Sequence, residues 1–213
     1  MRKFALAALL AAASLSPLAA QTARMFSYDG IAVEADAGAA ADVSWMSFVA
    51  AEDLTTTPAA LLGCSVGAGA SLRILQGLYL RGELDLSLRR SANADLGVDY
   101  NPLYLHLPVT VEVRVPVFEN LSLLAFGGVW GAAGIGGSSV NGNVRTPFFG
   151  SGADSFADRL DYGWTAGAGC IVKEKFRIRA SFGYGLKDIA NSHTQEVGHF
   201  FNNYLSFGLG YIF

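Results

Sequence analysis

NNYLSFGLGYIF, residues Asn202–Phe213, is the stretch that decides the fold. Within it Leu205, Phe207, Leu209, Tyr211 and Phe213 share one parity, while Tyr204, Ser206, Gly208, Gly210 and Ile212 share the other. A period of two that sets a row of large apolar side chains against a row of small or polar ones marks a strand lying between two unlike environments. In water, an outer row of Leu, Phe, Leu, Tyr and Phe on a last strand calls for a second covering layer. Lipid is the economical cover, so the strand is expected to close a β-barrel inside a membrane.

Working back from this strand, the same period recurs seven times. Phe176–Leu186 places Phe176, Ile178, Ala180, Phe182, Tyr184 and Leu186 outward, with Arg177, Arg179 and Ser181 inward and Lys187 next on the inner parity. Leu160–Val172 places Leu160, Tyr162, Trp164, Ala166, Ala168, Cys170 and Val172 outward and Asp161 inward. Leu121–Ile135 is apolar or Gly on both parities, which fixes a strand without fixing its faces. Leu103–Val115 turns Leu and Val outward, over an inner row of Tyr104, His106, Pro108, Thr110, Glu112 and Arg114. Pro108 lacks an amide hydrogen, so a bulge is expected beside it. Leu78–Leu88 sets Leu78, Leu80, Leu84, Leu86 and Leu88 against Tyr79, Arg81, Glu83, Asp85 and Ser87. Ala60–Arg73 carries Leu62, Cys64, Val66 and Leu72 outward and Arg73 inward, and Ile31–Ala41 carries Glu34 and Asp36 inward.

Eight strands of about 9–13 residues match the roughly 9–11 needed to cross a bilayer at a tilt. Short links near Ile74–Gly77, Pro116–Asn120 and Lys173–Lys175 alternate with long ones near Asp42–Pro58, Arg89–Asn101, Gly136–Arg159 and Asp188–Asn202. That alternation is the pattern of short periplasmic turns and long extracellular loops, with both termini in the periplasm. A soluble eight-stranded barrel would bury its apolar row inside, and here the charges occupy that side instead. The fold expected is therefore all-β, an eight-stranded antiparallel up-and-down transmembrane β-barrel over residues 31–213.

The N-terminus supports export. Arg2 and Lys3 precede an apolar run from Phe4 to Ala13 and a small-residue run ending Leu18-Ala19-Ala20. Residues 1–20 are read as a secretory signal peptide, too short to span a membrane as a helix, and 21–30 as a periplasmic lead-in. A cut before Gln21 leaves 193 residues and moves the formal charge from −3 to −5, which argues against nucleic acid as a partner. Cys64 and Cys170 both fall on outward parity, on strands across the barrel from each other, and are read as small lipid-facing hydrophobes rather than a disulfide.

YLHLPV (Tyr104–Val109), LDYGWTAGAG (Leu160–Gly169), FRIRASFGYGLKDIAN (Phe176–Asn191) and the C-terminal stretch together resemble the PorT-like outer-membrane β-barrel family of small porin-like proteins. The resemblance covers essentially the whole chain after the signal peptide. It implies a bacterial outer-membrane barrel surrounded by outer-membrane lipid, linked in family members to secretion, surface assembly or porin activity, with no family-wide catalytic or binding residues. Phe213 at the end of the last strand resembles the signal by which such barrels are handed to their insertion machinery.

Candidate functional residues follow from the inner rows. Glu34, Asp36, Glu83, Asp85, Glu112 and Asp161 face Arg73, Arg81, Arg114, Arg177, Arg179 and Lys187. Six acids against six bases in a lumen just wide enough for side chains read as a paired plug. Isolated buried charges cost several kcal/mol each. A conducting lumen would instead show an excess of one sign at its constriction. Phe148 and Phe149, in the third long link, pack against the rim or serve as a contact for another envelope protein. Ser192, His193, Glu196 and His199 hold the residue types of acyl transfer, but in a polar loop with nothing to fix their geometry. Asp95, Asp99 and Asn101 fall short of the ligand density of a calcium loop. Trp45, Phe48, Tyr100, Tyr104, Trp130, Tyr162, Trp164, Tyr184, Tyr204, Tyr211 and Phe213 are candidates for interfacial girdles. The sequence thus points to a non-enzymatic envelope barrel without a cofactor, with a narrow passive pore and a lipid-modifying enzyme as the competing readings.

Overall fold

Alternation of side chains resolves into a closed ring in the computed structural model, which describes residues 32–50, 58–95, 97–150, 155–191 and 198–213. The signal peptide (1–20), the lead-in (21–30) and Ile31 lie outside the described residues. Eight long strands form the ring: β1 (Ala32–Ala50), β2 (Pro58–Leu75), β3 (Leu78–Leu88), β5 (Val98–Phe118), β6 (Leu121–Asn141), β8 (Leu160–Val172), β9 (Phe176–Gly185) and β10 (Gly198–Ile212). Two short strands, β4 (Ser91–Asn93) and β7 (Val144–Pro147), extend the ring at one end. Every strand pairing is antiparallel, each long strand pairs with the long strand that follows it along the chain, and β10 pairs back onto β1, so no long edge remains.

Three tight turns share one end of the barrel. The turn between β8 and β9 places Lys173 and Glu174 at φ of 52° and 58°, and the Lys175 N–H closes it onto the Val172 carbonyl at 3.1 Å. Two consecutive positive φ values match the right-handed twist of the flanking strands, which is why a three-residue link suffices. At the other end β1, β2, β5, β6 and β10 run well into the expected links. The expected link Asp42–Pro58 is strand as far as Ala50 and again from Pro58, and β5 and β6 each reach 21 residues. Pro108 is not at a bulge. The β5–β6 register shifts fall at Leu103/Tyr104 and Pro116/Phe118, and the missing amide is accommodated where the β3–β5 ladder skips Glu83 and Leu84.

The outward rows form a continuous apolar belt. Val66, Leu84, Leu107, Val111 and Leu209 are each 46–59% exposed, with Tyr162, Trp164, Tyr184 and Tyr211 also facing out. Cys64 and Cys170 are free thiols, Cys64 exposed on this belt. Tyr100, Tyr104, Trp130 and Tyr204, four of the girdle candidates, are instead buried inside the ring. On β6 the structure supplies the facing that the sequence leaves open: Leu124, Phe126, Trp130 and Ala132 point in, and Leu123, Val129 and Ile135 point out. An exposed Val to Arg change is nearly neutral in water but costs about 2–4 kcal/mol at a bilayer midplane. Val111→Arg is accordingly expected to destabilise the lipid-embedded barrel by that amount in urea titrations from vesicles, and a loss within error would remove lipid from this face.

Candidate functional site

Inner rows of β1, β3, β5 and β9 converge on a charged floor near the short-turn end. Arg81 grips Asp36 with both terminal nitrogens, one at 2.7 Å from Oδ1, and donates to Glu83 at 2.7 Å and to the Ser71 hydroxyl at 3.1 Å. Arg179 Nη1 donates to both Glu83 oxygens at 2.6 Å. Arg114 bridges Glu34, at 2.6 Å, and Glu112. Arg177 reaches Glu112 at 3.2 Å and lies 3.7 Å from Asp36. Four carboxylates (Glu34, Asp36, Glu83, Glu112) thus meet four guanidiniums (Arg81, Arg114, Arg177, Arg179) in one linked lattice, with Glu112 0% exposed. Arg114 also stacks over Tyr79 at 3.6 Å and Arg179 over Phe126 at 4.0 Å, which places an aromatic of the otherwise ambiguous strand β6 against the lattice. Arg73 lies at the short-turn end opposite Tyr79.

Above this floor is a cavity of about 110 Å³, roofed by Asp42, Asp85, Ser87, Arg89, His106 and Tyr204. Its position follows from the sequence. The inner rows of β1, β2 and β10 are small at this height, with Gly38, Ala40, Gly67, Gly208 and Gly210 lining the wall. Gly67 cannot be enlarged, because a Cβ there would lie 2.1 Å from Asp85 Oδ1 and 2.4 Å from the Leu84 carbonyl. In the roof the Arg89 guanidinium stacks on Tyr204, Trp130 and Tyr104 at 4.1, 4.8 and 5.5 Å. His106 makes long contacts, 3.4 Å to Asp85 and 3.5 Å to the Tyr204 hydroxyl.

The long-loop end is sealed by a second core. Phe148 and Phe149 are 0% and 6% exposed, and pack with Tyr100, Tyr104, Phe156, Ile189, Ala190 and Phe200 over the barrel mouth. Their rings meet Tyr100 and Tyr104 edge-on at 5.9 and 5.2 Å, so this pair presents no face to a partner. Asp161 is also here, accepting from the Asn202 amide at 2.8 Å rather than from a cation of the floor. Lys187 leaves the expected cluster: it binds the Leu160 carbonyl at 2.8 Å and lies 3.4 Å from Asp158 at the rim, because β9 ends at Gly185 and its parity no longer aims side chains inward. Asn101 is occupied by Arg90, whose Nε donates to its side chain at 2.8 Å. Two lumen residues, Asp42 and Arg89, lie in stretches whose sequence alone predicts links.

At the rim, Ser192, His193 and Glu196 lie outside the described residues, while His199 Nδ1 faces Asp188 at 2.6 Å. The same carboxylate accepts the Phe200 and Ala190 amides at 2.9 and 3.0 Å, tying the β9–β10 link to β10 where Ile189 and Ala190 enter the cap. Burial alone would push the Asp188 carboxyl up, but the donors from His199, Phe200 and Ala190 outweigh it and hold it below the ordinary aspartate value. A carboxyl lowered in the folded state stabilises at pH above its unfolded value near 4 and loses that stabilisation as pH falls through the folded value. Amide exchange of Ala190 and Phe200 is thus expected to accelerate below about pH 4, and Asp188→Asn to show fast exchange already at neutral pH.

Among solved structures, the chain is similar to the attachment invasion locus protein Ail of Yersinia pestis (16% identity, 86% of this chain and 99% of that one, TM-score 0.43). It is also similar to Neisserial surface protein A (17%, 87% and 100%, 0.49) and to OprG of Pseudomonas aeruginosa (11%, 89% and 98%, 0.47). No curated protein matches the chain at a significant level. A family model for the outer membrane protein β-barrel domain matches residues 5–213, and with an apolar belt outside and paired charges inside, the chain belongs to that family of bacterial outer-membrane β-barrels.

Proposed function

We propose that this protein is a non-enzymatic envelope barrel with a closed lumen, acting through its long-loop end as a structural or adhesion-type surface. The floor lattice is the observation that carries the reading, since four guanidiniums and four carboxylates form linked ion pairs across the lumen. The buried cap over the mouth adds to it. In this reading residues 1–20 are the signal peptide, the short turns and both termini face the periplasm, and the strand ending at Phe213 is read by the insertion machinery. The narrower PorT-like affiliation, with an accessory role in secretion or surface assembly, belongs to the same proposal. Contact with another envelope protein passes from Phe148 and Phe149 to the exposed tip of the β6–β7 hairpin, where Val144 is 64% exposed beside Arg145.

Chemical crosslinking in intact outer membranes, followed by purification of this chain, tests the contact reading. A reproducible partner in near-equal amount, lost on changing Val144 and Arg145, is expected. Recovery of the barrel alone removes the partner. The second reading, a narrow passive channel, is favoured by the polar cavity between floor and cap. Planar-bilayer recording separates the two: no discrete steps are expected of the closed barrel, and stable steps would overturn it.

A further inference from the structure

Arg81, Arg89, Arg177 and Arg179 line the cavity against the carboxylates of Asp36, Asp42, Glu83 and Asp85, so their formal charges cancel. The hydrogen bonds do not balance in the same way. Arg81, Arg177 and Arg179 each keep a buried Nε, and Arg89 a buried Nη1, with no partner among the described residues. Arg81, Arg89 and Arg177 are themselves 2–3% exposed. Against these donors the lining sets one acceptor in the same condition, Asp42 Oδ2. Asp36 and Glu83 already receive guanidinium hydrogens on both oxygens. Buried polar groups find partners in native structures, so the lining fits a guest rich in acceptors that also brings a donor for Asp42. A guest with a net charge would go uncompensated among charges that already cancel. A carboxylate joined to an ammonium meets both conditions, since the first only accepts hydrogen bonds and the second only donates them. Size narrows the choice further. A cavity of roughly 150 Å³ holds benzene, and this one, at about 110 Å³, suits a molecule slightly smaller.

We propose that this cavity is a binding site for a small zwitterion of the size of glycine, with its carboxylate on the unpartnered arginine nitrogens and its ammonium on Asp42. The guest's polarity follows the cavity's: three of the four donors belong to floor arginines, while Asp42 is in the roof. Arg89 adds a donor from above, because stacking on Tyr204 and Trp130 occupies the face of its guanidinium and leaves the edge for hydrogen bonding. The hydroxyls of Ser65, Ser87 and Ser206 also line the cavity and can donate or accept between the two ends. The site does not depend on whether the barrel is an adhesive surface or a channel.

The test uses the full chain refolded into vesicles with glycine present, so that the guest enters before the cap closes over the mouth. With glycine at about ten times its Kd, the urea unfolding equilibrium constant is expected to fall about elevenfold and to level off beyond that concentration. Acetate and methylammonium, each carrying one end of the zwitterion, should not reproduce the effect at equal ionic strength. Glycine betaine, which is bulkier and has no N–H donor, controls for a general osmolyte effect. Asp42→Asn should abolish the saturable stabilisation. Wild-type protein gives a readout that does not depend on that variant folding: with glycine labelled at its carboxyl carbon, solid-state NMR should show dipolar coupling from that carbon to arginine side-chain nitrogens. Absence of both the saturable effect and the coupling means that water alone fills the cavity, and overturns the proposal. Equal stabilisation by acetate or by glycine betaine overturns it as well.

Discussion

Replacing Glu112 by Ala is expected to destabilise the barrel by about 3–5 kcal/mol, the cost of breaking a buried ion pair from one side. Glu112 is 0% exposed and holds Arg114 through one oxygen and Arg177, at 3.2 Å, through the other. Its removal leaves Arg114 with Glu34 as its partner, and leaves Arg177 with more distant carboxylates, 3.7 Å away at Asp36 and 3.9 Å at Glu34. Folding from urea into vesicles reads the loss directly. The double change Glu112→Leu, Arg177→Met should cost less than Glu112→Ala alone, because the uncompensated charge is removed with its partner. A loss below 1 kcal/mol for Glu112→Ala would mean that water reaches the lattice and that the lumen is not closed there.

Trp130→Ala is the second large effect, expected at about 3–5 kcal/mol for a buried tryptophan. Trp130 is 2% exposed, its indole N–H donates to the Trp164 carbonyl at 3.0 Å, and its ring lies beneath Arg89 and beside His106 and Tyr204. The ring fits because Gly163 lies against it on β8; a Cβ there would approach within 2.7 Å. The change therefore opens a void where the cavity roof meets the cap. Stability in vesicles measures it, and Trp130→Phe should recover part of the loss by restoring an aromatic face to Arg89. Equal losses for the two variants would place the stabilisation in the indole hydrogen bond instead of the stacked ring.

Much of this was legible from periodicity. In β2, β3, β5, β8 and β9 the inner and outer rows follow the alternation read from the sequence, because at belt height one face meets a lipid-facing environment and the other a charged lumen. The alternation fails in two places for physical reasons. Strand β6 gives the lumen aromatic and aliphatic contacts, Phe126 under Arg179 of the floor and Trp130 beneath Arg89 of the roof, so its inner row is as apolar as its outer one. Above the belt, the inner rows enter the cap and the outer rows leave the apolar zone, so strand tops read as polar links. Arg89 and Asp42 fell into that gap although the signal was present: Tyr79, Arg81, Glu83, Asp85 and Ser87 continue in parity to Arg89, and Glu34, Asp36, Gly38 and Ala40 to Asp42. Lys187 shows the converse, a parity extended past the end of its strand. That Phe148 and Phe149 fold back over the mouth depends on Phe156, Ile189 and Phe200, which are remote in sequence and carry no periodic mark.

Strands β5 and β6 have 21 residues each, about 70 Å of extended chain at roughly 3.3 Å per residue. At a tilt of about 40° they rise some 50 Å, against an apolar band of about 25 Å. Half of this ribbon is therefore a mast standing in water. It carries the β6–β7 tip clear of the lipid headgroups, to a height at which a bulky protein could approach it without pressing on the bilayer.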